Sequence, residues 1–75
     1  MNVLLFGVLA DIVKTQRIGI AGVSTTDELI KLMEEKYPEI KNYTYQIAVN
    51  QKQIEGNCVI SENDEIALLP PFAGG

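Results

Sequence analysis

Thr25 and Glu28 stand three residues apart at the head of an apolar stripe that Pro38 cuts short. No other pattern constrains the chain as tightly. In a capping box the two side chains each satisfy a backbone N–H left free at a helix start. Asp27 and Glu28 also put negative charge at the positive end of the helix dipole. Leu29, Leu32, Met33 and Lys36, flanked by Ile30 and Tyr37, form a stripe at helical spacing. The residue before a proline is pushed out of helical geometry, so the pattern predicts a helix over Thr26–Tyr37.

The other apolar segments read as strands. Val3 to Ala10 (VLLFGVLA) is apolar on both alternating faces, and its brevity and Gly7 favour a strand running into a turn or short helical segment. Asp11 to Lys14 then connects back to a short second strand in Thr15–Ala21, with Ile18 and Ile20 on one face. Tyr45–Asn50 predicts a third strand, with Tyr45, Ile47 and Val49 opposite Gln46, Ala48 and Asn50. Asn50 to Gln53 is a polar turn from which Gln53-Ile54 begins a short return strand. Ser61 to Asp64 is a cluster of turn formers ahead of a last strand, Glu65–Leu69, which Pro70-Pro71 ends by withholding ladder N–H groups. A hairpin, one main helix and further strands make an α+β domain with a mixed sheet under the helix.

Size and composition narrow the function. A chain of 75 residues suits one small domain with a thin core and little volume for a deep active site. With no histidine, the commonest general base at neutral pH and the Ser-His and Cys-His pairs are missing. One cysteine and no Cys/His cluster argue against a structural metal. The net charge of −4 with scattered basic residues leaves no stripe for a nucleic-acid backbone. The apolar runs fall far below a bilayer span, and no secretory leader pattern opens the chain, so the expected compartment is the cytoplasm.

The segment Pro70-Pro71-Phe72-Ala73-Gly74-Gly75 carries the chemistry. The two prolines set an extended exit from the sheet with little entropy left to lose on docking. Gly74 and Gly75 lack side chains and can thread a narrow channel. The six residues reach on the order of 20 Å, enough to enter a partner's active site while the domain stays outside. The expected organisation is therefore a domain over 1–69 and a flexible tail over 70–75. A free carboxylate is a poor electrophile. As an acyl-adenylate it gains a good leaving group, and a bare glycyl carbonyl is then open to a thiolate or sulfide. Attack by sulfide, with AMP leaving, gives a thiocarboxylate, itself a nucleophile that can deliver sulfur.

The opening Val3 to Phe6, the Ala48-Val49-Asn50-Gln51 segment, Asp64-Glu65-Ile66-Ala67, and Pro70 to Gly75 fall in one order across nearly the whole chain. In these the chain resembles the small subunit of molybdopterin synthase, the MoaD family, among the ubiquitin-like β-grasp sulfur carriers. The resemblance implies a β-grasp fold whose first and last strands pair in parallel at the sheet's centre. It implies that Gly75, with Gly74 before it, is adenylated by an ATP-dependent, MoeB-like activating enzyme and then converted to a thiocarboxylate, with no cofactor bound by the chain itself. It further implies that the tail enters a MoaE-like large subunit, in a heterotetramer, and passes sulfur to cyclic pyranopterin monophosphate. Phe6, Leu69, Pro70, Pro71, Phe72 and Ala73 then form the partner contact. The chain departs from the family by a shortened region around Glu39–Tyr43, expected to be a peripheral loop, and by Gln53 where the family has an apolar residue.

Alternatives remain open from the residues alone. Phe6 and Leu69 could be ordinary core, although alternation from Ile66 and Leu68 puts Leu69 on the opposite face. Cys58 reads as a small hydrophobe and not as a persulfide carrier. Asp64 and Glu65 read as a turn, Tyr37, Tyr43 and Tyr45 as packing, and Lys31, Glu34 and Glu35 as the solvated helix face. A carrier for thiazole synthesis or tRNA thiolation, of the ThiS kind, is the nearest rival, although such carriers usually lack the double proline. A ubiquitin-like modifier joined through Gly75 to a lysine is the next.

Overall fold

The computed structural model describes residues 1–70; positions 71–75 lie outside the described residues. Five strands and two α-helices follow in the order β1 (Asn2–Leu5), α1 (Val8–Val13), β2 (Arg17–Gly19), α2 (Thr26–Lys36), a 3-10 helix (Pro38–Asn42), β3 (Gln46–Val49), β4 (Lys52–Ile54) and β5 (Glu65–Leu69). The sheet order is β2-β1-β5-β3-β4. β1 and β5 run parallel with Val3 beside Ile66 and Leu5 beside Leu68. β2 and β3 flank this pair antiparallel, and β4 closes a hairpin on β3.

The predicted helix forms for the predicted reason. The Glu28 N–H donates to Thr25 Oγ1 at 3.2 Å, and the Glu28 carboxylate accepts from the N–H groups of Thr25 and Ser24 at 3.1 and 2.8 Å. A second cap comes from across the chain, where Asn57 Oδ1 accepts from the Asp27 N–H at 2.9 Å. Buried Thr26 accepts from the Cys58 N–H at 2.9 Å, so the loop before β5 is tied to the helix start. Cys58 itself is half-buried.

Register explains the core. Side chains directly paired across strands share a face, so Val3, Leu5, Ile66 and Leu68 point together beneath Leu29 and Met33 of α2 and Leu9 of α1, all essentially inaccessible. Each such side chain contributes about 1.5–3 kcal/mol on burial.

Several expectations need correcting. Of the two continuations expected after β1, a turn or a short helical segment, the helical one forms, as Val8–Val13, and it buries Leu9 and Val13, whereas the apolar run to Ala10 is strand only as far as Leu5. The segment around Glu39–Tyr43 is a 3-10 helix that drives Ile40 to complete burial, not a peripheral loop. Lys36 is exposed and lies off the buried stripe, which is Thr26, Leu29 and Met33. Tyr43 is exposed rather than packed. Glu34 is half-buried, and its carboxylate accepts a 3.1 Å hydrogen bond from Tyr45. Burial, followed by the charge and hydrogen bond of Glu34, pushes the Tyr45 hydroxyl up to about 12.

Candidate functional site

The two central strands are apolar on both faces, which is why the opening run gave no alternation. Val3 and Leu5 face the core, so Leu4 faces away from it. The pairings place Arg17, Leu4, Ala67, Ala48 and Gln53 in one row across the face opposite the core residues. One step toward the strand ends, Leu69 lies beside Gln46 on the same face. Leu4, Ala67 and Leu69 are half-buried, and Ala48 is nearly covered. The centre of this face is therefore apolar, with Arg17 and Gln53 at its margins. The glutamine is the departure from the family pattern, and it sits on the β4 edge.

Phe6 follows β1 at the level where Leu69 ends β5, and its N–H donates to the Leu68 carbonyl at 3.3 Å. Its side chain is 41% exposed, which removes the core reading and leaves it free for contact. Phe6 lines a cleft of about 880 Å³ with Leu4, Gly7, Ala10, Asp11 and Arg17. Pro70, half-buried, follows Leu69 and lies against Gly7. Phe6, Leu69 and Pro70 thus meet at one end of the sheet. Pro71, Phe72, Ala73, Gly74 and Gly75 lie outside the described residues.

Sequence reasoning missed Leu4, Gly7, Ala10 and Arg17. The signal for Leu4 was present in the two-sided apolar run. The others come to this end through the β1–α1 turn and through the pairing of Leu4 with Arg17, both matters of tertiary placement.

The family-like segments in the middle of the chain have a different role. The Asn50 amide donates to Asp64 Oδ1 at 2.9 Å and accepts from the Glu65 N–H at 2.9 Å. Asp64 also accepts from the Ser61 N–H at 2.8 Å. These bonds, the Asn50 one first, hold the Asp64 carboxyl below its ordinary value. Asn50 and Gln51 both have positive φ, at 51° and 70°, in a two-residue hairpin turn. The two motifs join the β3–β4 turn to the start of β5, far from the exit. Among the described residues no group of His, Cys, Asp and Glu could hold a metal, and no helix is long and apolar enough to cross a membrane.

A five-stranded mixed sheet with parallel first and last strands and a main helix across one face define a ubiquitin-like β-grasp protein. The fold matches the solution structure of small archaeal modifier protein 1 from Methanosarcina acetivorans with a TM-score of 0.82. That match has 23% identity and covers 99% of this chain and 94% of the other. A family model described as "ThiS family" matches residues 3–75, and the chain belongs to that family. It is 29% identical over its whole length to the molybdopterin synthase sulfur carrier subunit of Mycobacterium tuberculosis, covering 96% of that protein. It is 40% identical over 57 residues to the protein of the same name from Dictyostelium discoideum, a match spanning 69% of this chain and 65% of the other.

Proposed function

We propose that the chain is the sulfur-carrier subunit of a molybdopterin synthase. The observation that carries this reading is end-to-end similarity to a curated carrier subunit, and the apolar outer face that ends at Leu69 supports it as a partner surface. The chemistry is that of the tail. The Gly75 carboxylate attacks the α-phosphorus of ATP on a partner enzyme, releasing pyrophosphate. Hydrosulfide from a sulfur donor then attacks the glycyl carbonyl and displaces AMP, leaving a thiocarboxylate. The large synthase subunit would receive the tail and transfer the sulfur to cyclic pyranopterin monophosphate. The domain contributes binding and aim, with Phe6, Leu69 and the Leu4–Ala67–Ala48 row as the surface a partner covers. The catalytic groups belong to the partners, and the ATP is theirs. Assembly with the large subunit as a heterotetramer, in the cytoplasm, belongs to the same proposal.

The test is co-expression with a family adenylating enzyme and a sulfur donor, followed by intact mass and reconstitution with a large subunit. The expected product is heavier by the exchange of one carboxyl oxygen for sulfur, and it supports pterin sulfuration. Sulfuration that persists after deletion of Gly75 would overturn the reading. Sulfur loading with delivery only to a thiazole or tRNA pathway would move the chain to the rival carriers. Conjugates to lysines of other proteins would make it a modifier, an outcome the fold match leaves equally open.

A further inference from the structure

Arg17 is the only arginine in a chain of net charge −4; the remaining basic residues are lysines. It stands in β2 and pairs with Leu4. In the row that Leu4, Ala67, Ala48 and Gln53 continue across the face opposite the core, it is the one charged residue. The backbone beneath it is held on both sides. The Leu5 N–H donates to the Gln16 carbonyl at 2.9 Å, and the pairing of Val3 with Ile18 continues the ladder. The Arg17 side chain is exposed at the cleft that Leu4, Phe6 and Ala10 also line. Asp11, exposed on α1, lines the same cleft. These opposite charges do not neutralise each other. Among the described residues neither forms an ion pair; the pair found there joins the Met1 ammonium to Glu62 at 3.4 Å.

An arginine at the edge of an apolar surface suits a carboxylate. Its guanidinium presents N–H donors in a planar fork that matches two carboxylate oxygens, and it is more weakly hydrated than an ammonium, so covering it costs less. Half-buried Leu4 and Ala10 and the exposed Phe6 ring supply apolar area beside it, which an apolar side chain would cover favourably. Asp11 adds the opposite preference, repelling an acid brought near it and attracting a base. We propose that this cleft reads a partner segment with an acidic residue for Arg17, an apolar side chain for the Leu4–Phe6–Ala10 surface and a basic residue for Asp11. The apolar area supplies affinity, while the two charges fix which partner binds and in what register. A partner with the signs reversed meets like charges at both positions and is rejected. The inference deepens the proposed function, on which it rests for the identity of the partners, by assigning the contact that selects them.

The experiment measures the affinity of the full chain for a family large subunit and for a family adenylating enzyme, by calorimetry at low and high salt. Arg17→Gln should weaken binding to the partner that occupies the cleft about tenfold, and Arg17→Glu by more, since it adds repulsion to the loss. Arg17→Lys keeps the charge without the fork and should fall between the parent and Arg17→Gln. Asp11→Lys should weaken the same partner about tenfold, and the effect of both reversals should shrink at high salt. Lys52→Glu is the control. It changes the net charge as Arg17→Glu does, but alternation in β4 puts Lys52 on the other face from Gln53, so binding should stay within about twofold of the parent. All three side chains are exposed, so melting temperatures should match the parent and lost affinity is not lost folding. Parent-like affinity for both partners in Arg17→Glu and Asp11→Lys would overturn the inference. Arg17 would then be an edge-strand charge that only keeps other sheets away. Equal losses for Lys52→Glu and Arg17→Glu would also overturn it, because long-range charge would then act in place of the cleft. Affinity is read without any sulfur chemistry. A parent that binds in the expected charge-dependent way yet supports no pterin sulfuration would therefore sink the proposed function alone.

Discussion

Replacing Asn50 by alanine should unfasten the domain without touching its working end. Asn50 has φ 51°, which asparagine tolerates and alanine does not, at a cost of about 1 kcal/mol. The side chain also accepts from the Glu65 N–H at 2.9 Å, and losing that bond costs about 1 kcal/mol more. The expected destabilisation is about 2 kcal/mol, or roughly 8–16 °C in Tm for a domain of this size. Asn50→Gly loses the same bonds but not the backbone comfort, so it should be about 1 kcal/mol less damaging than alanine. The bond to Asp64 adds a pH-dependent part. A carboxyl held low in the folded state contributes stability above its unfolded pKa and loses it as pH falls through the folded value. Asn50→Ala removes the first cause of that lowering, so the gap between parent and variant should narrow on acidification. Urea unfolding followed by circular dichroism at neutral and acid pH measures all three quantities. Equal losses for alanine and glycine, with a gap independent of pH, would refute the hairpin-latch argument. Sulfur loading of the folded variant should match the parent.

Two further perturbations probe the outer face and the helix contact. Phe6→Ala removes a side chain that is largely in solvent, so the domain should keep its stability to within about 1 kcal/mol. Its affinity for the large subunit should weaken roughly tenfold, read by calorimetry, if Phe6 anchors the contact. Tyr45→Phe tests the raised hydroxyl. The folded state keeps the proton that the unfolded chain releases near 10.0, so parent stability should decline as pH rises from 10.0 to about 12. The variant should lack this component, and its small deficit at neutral pH, about 0.5–1 kcal/mol for a partly solvated bond, should vanish across that window.

The helix and its capping box were legible because their signals are local, whereas the second cap from Asn57, thirty residues away, was not. Thr25, Glu28 and Pro38 act through backbone groups within four residues, so the sequence contains both partners of each interaction. The alternation of Ile66, Ala67, Leu68 and Leu69 was legible for the same reason, and with it the face on which Leu69 lies. The start and extent of α1, offered in the sequence only as a turn or short helical segment, and the 3-10 helix were not, because each is stabilised by what it buries. Leu9 and Ile40 reach the core only once the sheet and α2 exist to receive them. The fastening of Asn50 to Asp64 and Glu65 was equally invisible, since its partners lie 14 and 15 residues away.

The site divides along the same line. The expectation placed on Gly74 and Gly75 behind two prolines came from sequence alone, because side-chain absence and ring rigidity are properties of the residues themselves. What surrounds Pro70, the last described residue, is a property of packing. Parallel pairing of β1 with β5 brings Phe6 to Leu69 across more than sixty residues of chain. The same pairing puts Gly7 under Pro70, and no local pattern around Gly7 distinguishes that contact from an ordinary turn. The sequence by itself determined the helix caps and the strand faces, because those signals are local; tertiary structure decided that Phe6, Gly7, Leu69 and Pro70 share one end of the sheet, because only folding makes them neighbours.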